Sequence, residues 1–173
     1  MIENSSDRSD AVDLPLIVVG VDGSPASRTA LRWALDEAGH SGAAVEATMA
    51  WQHESEFVPA STLGVHAYAD VLPRRHRHPA RVLHDLVAEV RAGLPDAPEV
   101  AEVTSTGDAS TVLLRASRQA HLLVVGRHAH GPLTEALLGS VTSDCIRHAA
   151  CPVVVIPPGV TTRSADAVRV AAR

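Results

Sequence analysis

Residues 122–141 read LLVVGRHAHGPLTEALLGSV, and the order of residue types in that stretch decides the fold. A short apolar run ends abruptly on Gly126. A loop rich in histidine and glycine follows, and Gly139-Ser140 then opens a new segment. The run has the length and composition of a strand buried on both faces. Glycine and serine at 139 and 140 suit the start of a helix. The first backbone N–H groups of a helix lack an intrahelical partner and lie at the positive end of its dipole, which makes such a start a ready anion site. The stretch reads as strand, loop and phosphate-competent helix.

Working outward, the same unit opens the chain. Residues 16–21 (LIVVGV) form a second buried apolar run. Asp22-Gly23-Ser24-Pro25 then ends the strand and starts a helix, with Ser24 as N-cap and Pro25 at the first helical position. That helix keeps Ala30, Leu31, Ala34, Leu35 and Ala38 on one face, and Gly39 is the expected stop. Residues 43–51 (AAVEATMAW) are a further strand candidate. Between 52 and 79 the pattern dissolves into prolines, a glycine and scattered histidines, and a loop of that length is usually functional or irregular. Helical period returns over 80–93 through Val82, Leu83, Leu86, Val87 and Val90. Residues 99–105 (EVAEVTS) alternate, as a strand near a sheet edge does. Gly107-Asp108 makes a turn and an N-cap for a helix expected to reach about Ala120.

Residues 121–125 (HLLVV) are the next strand, and 140–149 a helix whose end carries the cations Arg147 and His148. The last strand is 152–156 (PVVVI), from Pro152 to Ile156, stopped by Pro157-Pro158. Strands and helices alternate five times. That pattern predicts an α/β fold: an open, five-stranded, mostly parallel sheet with helices on both faces and strand order 3-2-1-4-5. One domain over 14–157 is expected, between a polar tail at 1–13 and a loose tail at 158–173.

Composition agrees with that architecture and excludes others. The 173 residues are 46% hydrophobic but only 2% aromatic, so the core must be built from Ala, Val and Leu, as in a parallel sheet clothed in helices. A net charge of −5 argues against a general nucleic-acid or membrane-surface binder. With no run of membrane-span length and no basic-then-apolar N-terminus, the cytoplasm is the expected compartment. Cys145 and Cys151 match no zinc spacing and are expected as reduced thiols. There is no lysine; all 15 basic residues are arginine. A Walker-type phosphate lysine, a Schiff-base lysine and a lysine general base are excluded together. The histidine pairs His76/His78 and His128/His130 lack carboxylate or cysteine partners at ligand spacing, so no metal site is expected. The short basic run at 74–78 reads as exposed loop rather than nucleic-acid patch.

In sheets of this kind a ligand lies outside the carboxyl ends of the strands, where the strand order reverses. For the order 3-2-1-4-5 the first and fourth strands flank that point. They end at Asp22 and Gly126, so topology alone brings both to one crevice.

Over essentially residues 16–156 this pattern resembles the universal stress protein family. VVGVDGSPASRTALRWAL resembles its first strand, aspartate and helix. The family's ATP-binding pattern is glycine, two residues, glycine, nine residues, glycine, then serine or threonine. Gly126 fits the first position and Gly139-Ser140 the last pair, while Ala129 stands where the second glycine would be. Gly131 is two residues late to replace it. CPVVVIP resembles the closing strand, which often pairs antiparallel in a dimer. The resemblance implies a Rossmann-like fold of the adenine nucleotide alpha hydrolase type, ATP as ligand, with or without Mg²⁺, and a homodimer through 152–156.

Each candidate also has a plainer role. By resemblance Asp22 contacts the adenosine part, or else it is a turn aspartate bonding its own backbone. Val21 offers backbone and apolar contact to the base, and Ala50, at the end of the second strand, completes the adenine wall or is simply core. Gly126 approaches phosphate or relieves a tight turn. Ser140 and Thr142 hydroxyls donate to phosphate oxygens or assist Mg²⁺, Val141 supplies an N–H, and all three belong equally to a capped helix start. Arg127, His128 and His130 flank the loop and pair with phosphate charge or with water.

The leading expectation is an ATP-binding stress or regulatory module. ATP would order 127–138 and thereby alter a surface read by partners or by a dimer mate, since a ligand shifts a population by its differential affinity for two states. The second is a nucleotide-free interaction protein on the same fold, with Ala129 marking a lost site. An enzyme is the least supported. No nucleophile has a placed base, and slow ATP hydrolysis is the most that is expected.

Overall fold

The computed structural model describes residues 14–52, 78–94, 96–127 and 138–157. The tails 1–13 and 158–173, most of the 52–79 stretch, and the loop residues His128, Ala129, His130 and Gly131 lie outside them.

Nine elements alternate in sequence: β1 (Leu16–Gly20), α1 (Pro25–Ser41), β2 (Ala44–Trp51), α2 (Pro79–Ala92), β3 (Val100–Thr106), α3 (Ala109–Ala116), β4 (Leu122–Gly126), α4 (Ser140–His148) and β5 (Val153–Ile156). The strands form one sheet in the order β3-β2-β1-β4-β5, and every pairing is parallel. This is the architecture expected from the alternation of patterns. No helix among the described residues is long and apolar enough to cross a membrane.

Strand parity sorts the core into two layers. Ile17, Val19, Val45, Ala47, Met49 and Val124 pack with the apolar stripes of α1 (Ala30, Leu31, Ala34, Leu35, Ala38) and α2 (Leu83, Leu86, Val87, Val90). Val18, Leu123 and Val125 pack on the opposite face with Leu113 of α3 and Cys145 of α4. Both faces of β1 and β4 are thus covered, which is why those strands are continuous apolar runs rather than alternating ones. Each such Val or Leu, taken wholly from water, stabilises the fold by about 1.5–3 kcal/mol.

The helix starts follow their caps. Ser24 Oγ accepts from Ser27 N at 3.1 Å, with Pro25 at the first turn. Asp108 accepts from Thr111 N at 3.1 Å. Two helix ends differ from expectation. α1 runs through Gly39 to Ser41 and is closed by Gly42, whose φ of 71° is left-handed. A single glycine in a helix costs only about 1 kcal/mol, which the buried stripe offsets, whereas the positive φ at Gly42 favours glycine strongly. α3 stops at Ala116 rather than near Ala120, because the buried Ser117 turns its hydroxyl to partners described below.

Candidate functional site

The β1–α1 turn is fixed by its own short side chains. Gly23 takes a φ of 82°, Asp22 Oδ1 accepts from Ser24 N at 2.9 Å, and Ser27 Oγ donates to Ser24 O at 2.9 Å. Asp22 therefore performs the turn-forming role and also faces the crevice. Val21 N donates to Thr48 O at 3.0 Å, prolonging the β1–β2 ladder by one bond past the strand end. On the other side of the switch point, Arg127 N donates to Ile156 O at 2.7 Å and ties the exit of β4 to β5.

Between these strand ends lies a cleft of about 180 Å³. It is lined by Val21, Asp22, Ala50, Gly126, Gly139, Ser140, Val141 and Thr142, all singled out from sequence. Arg127 is not among the residues that line it. Gly20, Ser24, Ser27, Thr48, Ala109, Leu113 and Val125 also line the cleft and were missed. Strand alternation held a signal for Thr48, which lies two residues before Ala50 and so on the same side of β2. No sequence signal placed Ala109 and Leu113, because α3 reaches the cleft only through the tertiary fold.

Three helix starts meet at this cleft, and their caps differ. α1 is capped by Ser24 and α3 by Asp108. α4 begins after Gly139, with φ −61° and ψ 157°, and has no side-chain cap among the described residues. Ser140, Val141 and Thr142 of its first turn line the cleft, at the positive end of the helix dipole and where backbone N–H groups lack intrahelical partners. Thr142 is 3% exposed, and its hydroxyl donates to Gly126 O at 3.3 Å, clasping α4 to the end of β4. The remaining lining is mostly small or apolar, with Asp22 contributing a carboxylate. Such a combination, apolar walls with a few convergent polar groups at one end, suits a ligand with a flat apolar part and an anionic tail. Among the described residues, no group of three or more His, Cys, Asp or Glu side chains is placed to hold a metal ion.

Comparison with known proteins identifies the family and the fold. The sequence model of the universal stress protein family matches residues 16–157. Universal stress protein Rv1996 of Mycobacterium tuberculosis is 34% identical over 157 aligned residues, taking in 82% of this chain and 47% of that protein. The chain thus spans about half the length of the curated relatives it matches. Among solved structures, a universal stress protein in complex with cAMP aligns with a TM-score of 0.60 at 22% identity, covering 84% of this chain and 98% of that one. An Arabidopsis thaliana member of the same family with AMP bound gives a TM-score of 0.55 at 18% identity, covering 87% of this chain and 98% of that one. With a matching sequence pattern along nearly the whole described sheet, and the same fold in both solved relatives, this chain belongs to the universal stress protein family.

Proposed function

We propose that the chain is a stress or regulatory module that binds an adenine nucleotide, ATP with or without Mg²⁺, in the cleft at the switch point. The observation that carries this reading is the start of α4, uncapped among the described residues, at one end of an otherwise small-residue cleft. The N–H groups of Ser140, Val141 and Thr142 would hold phosphate oxygens. Val21, Ala50 and Leu113 would wall the base, and Asp22 would accept from ribose hydroxyls. Mg²⁺, when present, would arrive on the nucleotide's phosphates, where it supplies charge neutralisation. Two structural relatives with cAMP and AMP bound lend support from the same fold.

Occupancy of the cleft is read out through the segment joining β4 to α4 and through β5. β5 is an edge strand with half-buried Val153, Val154 and Val155, and it is the surface we assign to a homodimer. A nucleotide-free interaction protein on this fold is the second reading, favoured by Ala129 at the place of the family's second glycine.

Thermal unfolding with ATP, ADP and AMP, each with and without Mg²⁺, separates the two. A true ligand raises stability by RT ln(1 + [L]/Kd). A rise in melting temperature that titrates with nucleotide is expected. No shift at millimolar nucleotide would overturn the reading, and phosphate release over many turnovers would point to an enzyme instead.

A further inference from the structure

α4 is short, and among the described residues few side-chain hydrogen bonds hold it. Of its nine residues only Thr142 and Cys145 are buried. Among the described residues, besides the Thr142 clasp on Gly126, two side-chain hydrogen bonds hold α4 and its exit, and both come from serines of the neighbouring α3 segment. Ser110 Oγ donates to Asp144 Oδ2 at 2.9 Å, at the midpoint of α4 and one turn behind its first amides. Ser117 Oγ donates to Leu114 O at 2.8 Å and accepts from Ala150 N at 3.0 Å, just past the end of α4. Ser110 and Ser117 lie about two helical turns apart, hence on one side of the helix, and both are buried, Ser117 to 1% exposure. Such buried hydroxyls persist only where they are hydrogen-bonded, and these two brackets hold α4 at its midpoint and just past its end.

The two brackets differ in their relation to the cleft. Ser117 lies at the far end of α3, whereas Ser110 sits in its first turn beside Ala109 and Leu113, which line the cleft. Its bond to a carboxylate is charge-assisted, stronger and more directional than a neutral one. It ties the first turn of α3 to the residues directly behind the α4 amides. Asp144 also places a negative charge in the helix whose start would receive an anion, and the donated hydroxyl offsets part of that charge.

We propose that Ser110 is a positioning residue for phosphate. By holding Asp144 it sets where the uncapped amides of α4 point, and so governs the phosphate-dependent part of nucleotide affinity, leaving base and ribose contacts alone. This inference rests on the nucleotide reading of the cleft.

The test is calorimetric titration of the full chain with adenosine, AMP and ATP. It compares wild type with Ser110→Ala, Asp144→Asn and Asp144→Ala. Both Asp144 variants lack the charge, and only Asp144→Asn keeps an oxygen to accept from Ser110, so their difference isolates the bond. In wild type, AMP and ATP bind more tightly than adenosine. Loss of one such hydrogen bond is expected to weaken ATP by about three- to tenfold in Ser110→Ala and in Asp144→Ala relative to Asp144→Asn, with adenosine unchanged. An unchanged ratio of ATP to adenosine affinity in Ser110→Ala would overturn the inference and leave the nucleotide reading intact. Equal losses for adenosine and ATP would reduce Ser110 to a packing role and overturn it as well. If Ser110→Ala does not fold, equal ATP-to-adenosine ratios in the two Asp144 variants would likewise overturn it. A wild-type protein that binds no phosphate-bearing nucleotide better than adenosine would remove both proposals.

Discussion

The carbonyl carbon and oxygen of Ala26 stand 2.8 Å from the point where a side chain on Gly126 would begin. The first turn of α1 thus rests directly on the end of β4, and the strand must end in a residue without a Cβ. Gly126→Ala forces a methyl group against backbone, so α1 must shift. Overpacking of this kind destabilises by about 1–3 kcal/mol. Denaturant unfolding should report that loss, with weaker nucleotide binding beside it, because Ser24 and Ser27 move with Ala26. At Gly20 the obstacle is the Leu113 side chain at 2.8 Å, which can rotate away. Gly20→Ala should therefore lose less stability than Gly126→Ala. Equal or reversed losses would contradict this account.

Arg28 braces the turn that carries Asp22. Its guanidinium donates to the carbonyl of Gly23, and its Nε donates to Glu89 of α2 at 3.2 Å. The Glu89 side chain is 62% exposed, and exposed pairs contribute about 0–1 kcal/mol. Of the two Arg28 bonds, the one to Gly23 is the one that reinforces the turn. Arg28→Met should reduce stability by about 1 kcal/mol and weaken adenosine and ATP alike, since both depend on the Asp22 turn. Glu89→Gln should leave affinity unchanged. Titration calorimetry on the two variants checks the contrast, and a matching loss in Glu89→Gln would assign the bracing to the ion pair.

Cys145 gives a pH signature on the alkaline side. Its thiol is pushed from its ordinary 9.0 up to about 11, first by burial, then by the charges of Asp144 and Cys151. Burial also raises Cys151, with hydrogen bonding to the Leu123 backbone opposing it. The sign follows from linkage. Below the unfolded value both states hold the proton and the contribution is complete. Between 9.0 and about 11 the unfolded thiol ionises first, so stability falls as pH rises. The slope is at most about 1.4 kcal/mol per pH unit for one thiol. Unfolding midpoints measured through that window should fall in wild type and fall less steeply in Cys145→Ala. At neutral pH, alkylation of Cys145 should await unfolding, because the buried thiol forms little thiolate.

The fold was legible because its signals are local. LIVVG and LLVVG have the composition of strands buried on both faces, and Ser24-Pro25 marks a helix start by hydrogen-bonding geometry alone. The crevice then followed from strand order, which brings Val21, Asp22 and Gly126 together by topology. What stayed hidden depends on contacts distant in sequence. Gly39 and Gly42 are equally good helix stops by residue type, and it is the left-handed φ of 71° at Gly42, with its N–H on Ala38 O, that shows where α1 closes. Ser110 is a routine first-turn serine until the fold brings Asp144 to it across 34 residues. Gly126 invited a phosphate reading, yet its strictest requirement comes from Ala26, far earlier in the chain.

Ala129 and Gly139 offer opposite substitutions on the same motif. Ala129 replaces the second glycine of the family's pattern and lies outside the described residues, so its expectation is drawn from sequence. A methyl group where glycine serves close approach or positive φ costs about 1 kcal/mol. Ala129→Gly should then tighten ATP by about fivefold, and unchanged or weaker affinity would mean the departure has no part in binding. Gly139 is different, because its φ of −61° and ψ of 157° are open to any residue. Gly139→Leu should fold with a melting temperature near wild type, and because Gly139 lines the cleft beside Ser140, the bulky side chain should abolish ATP binding. Retained binding in that variant would place the phosphate somewhere other than the start of α4.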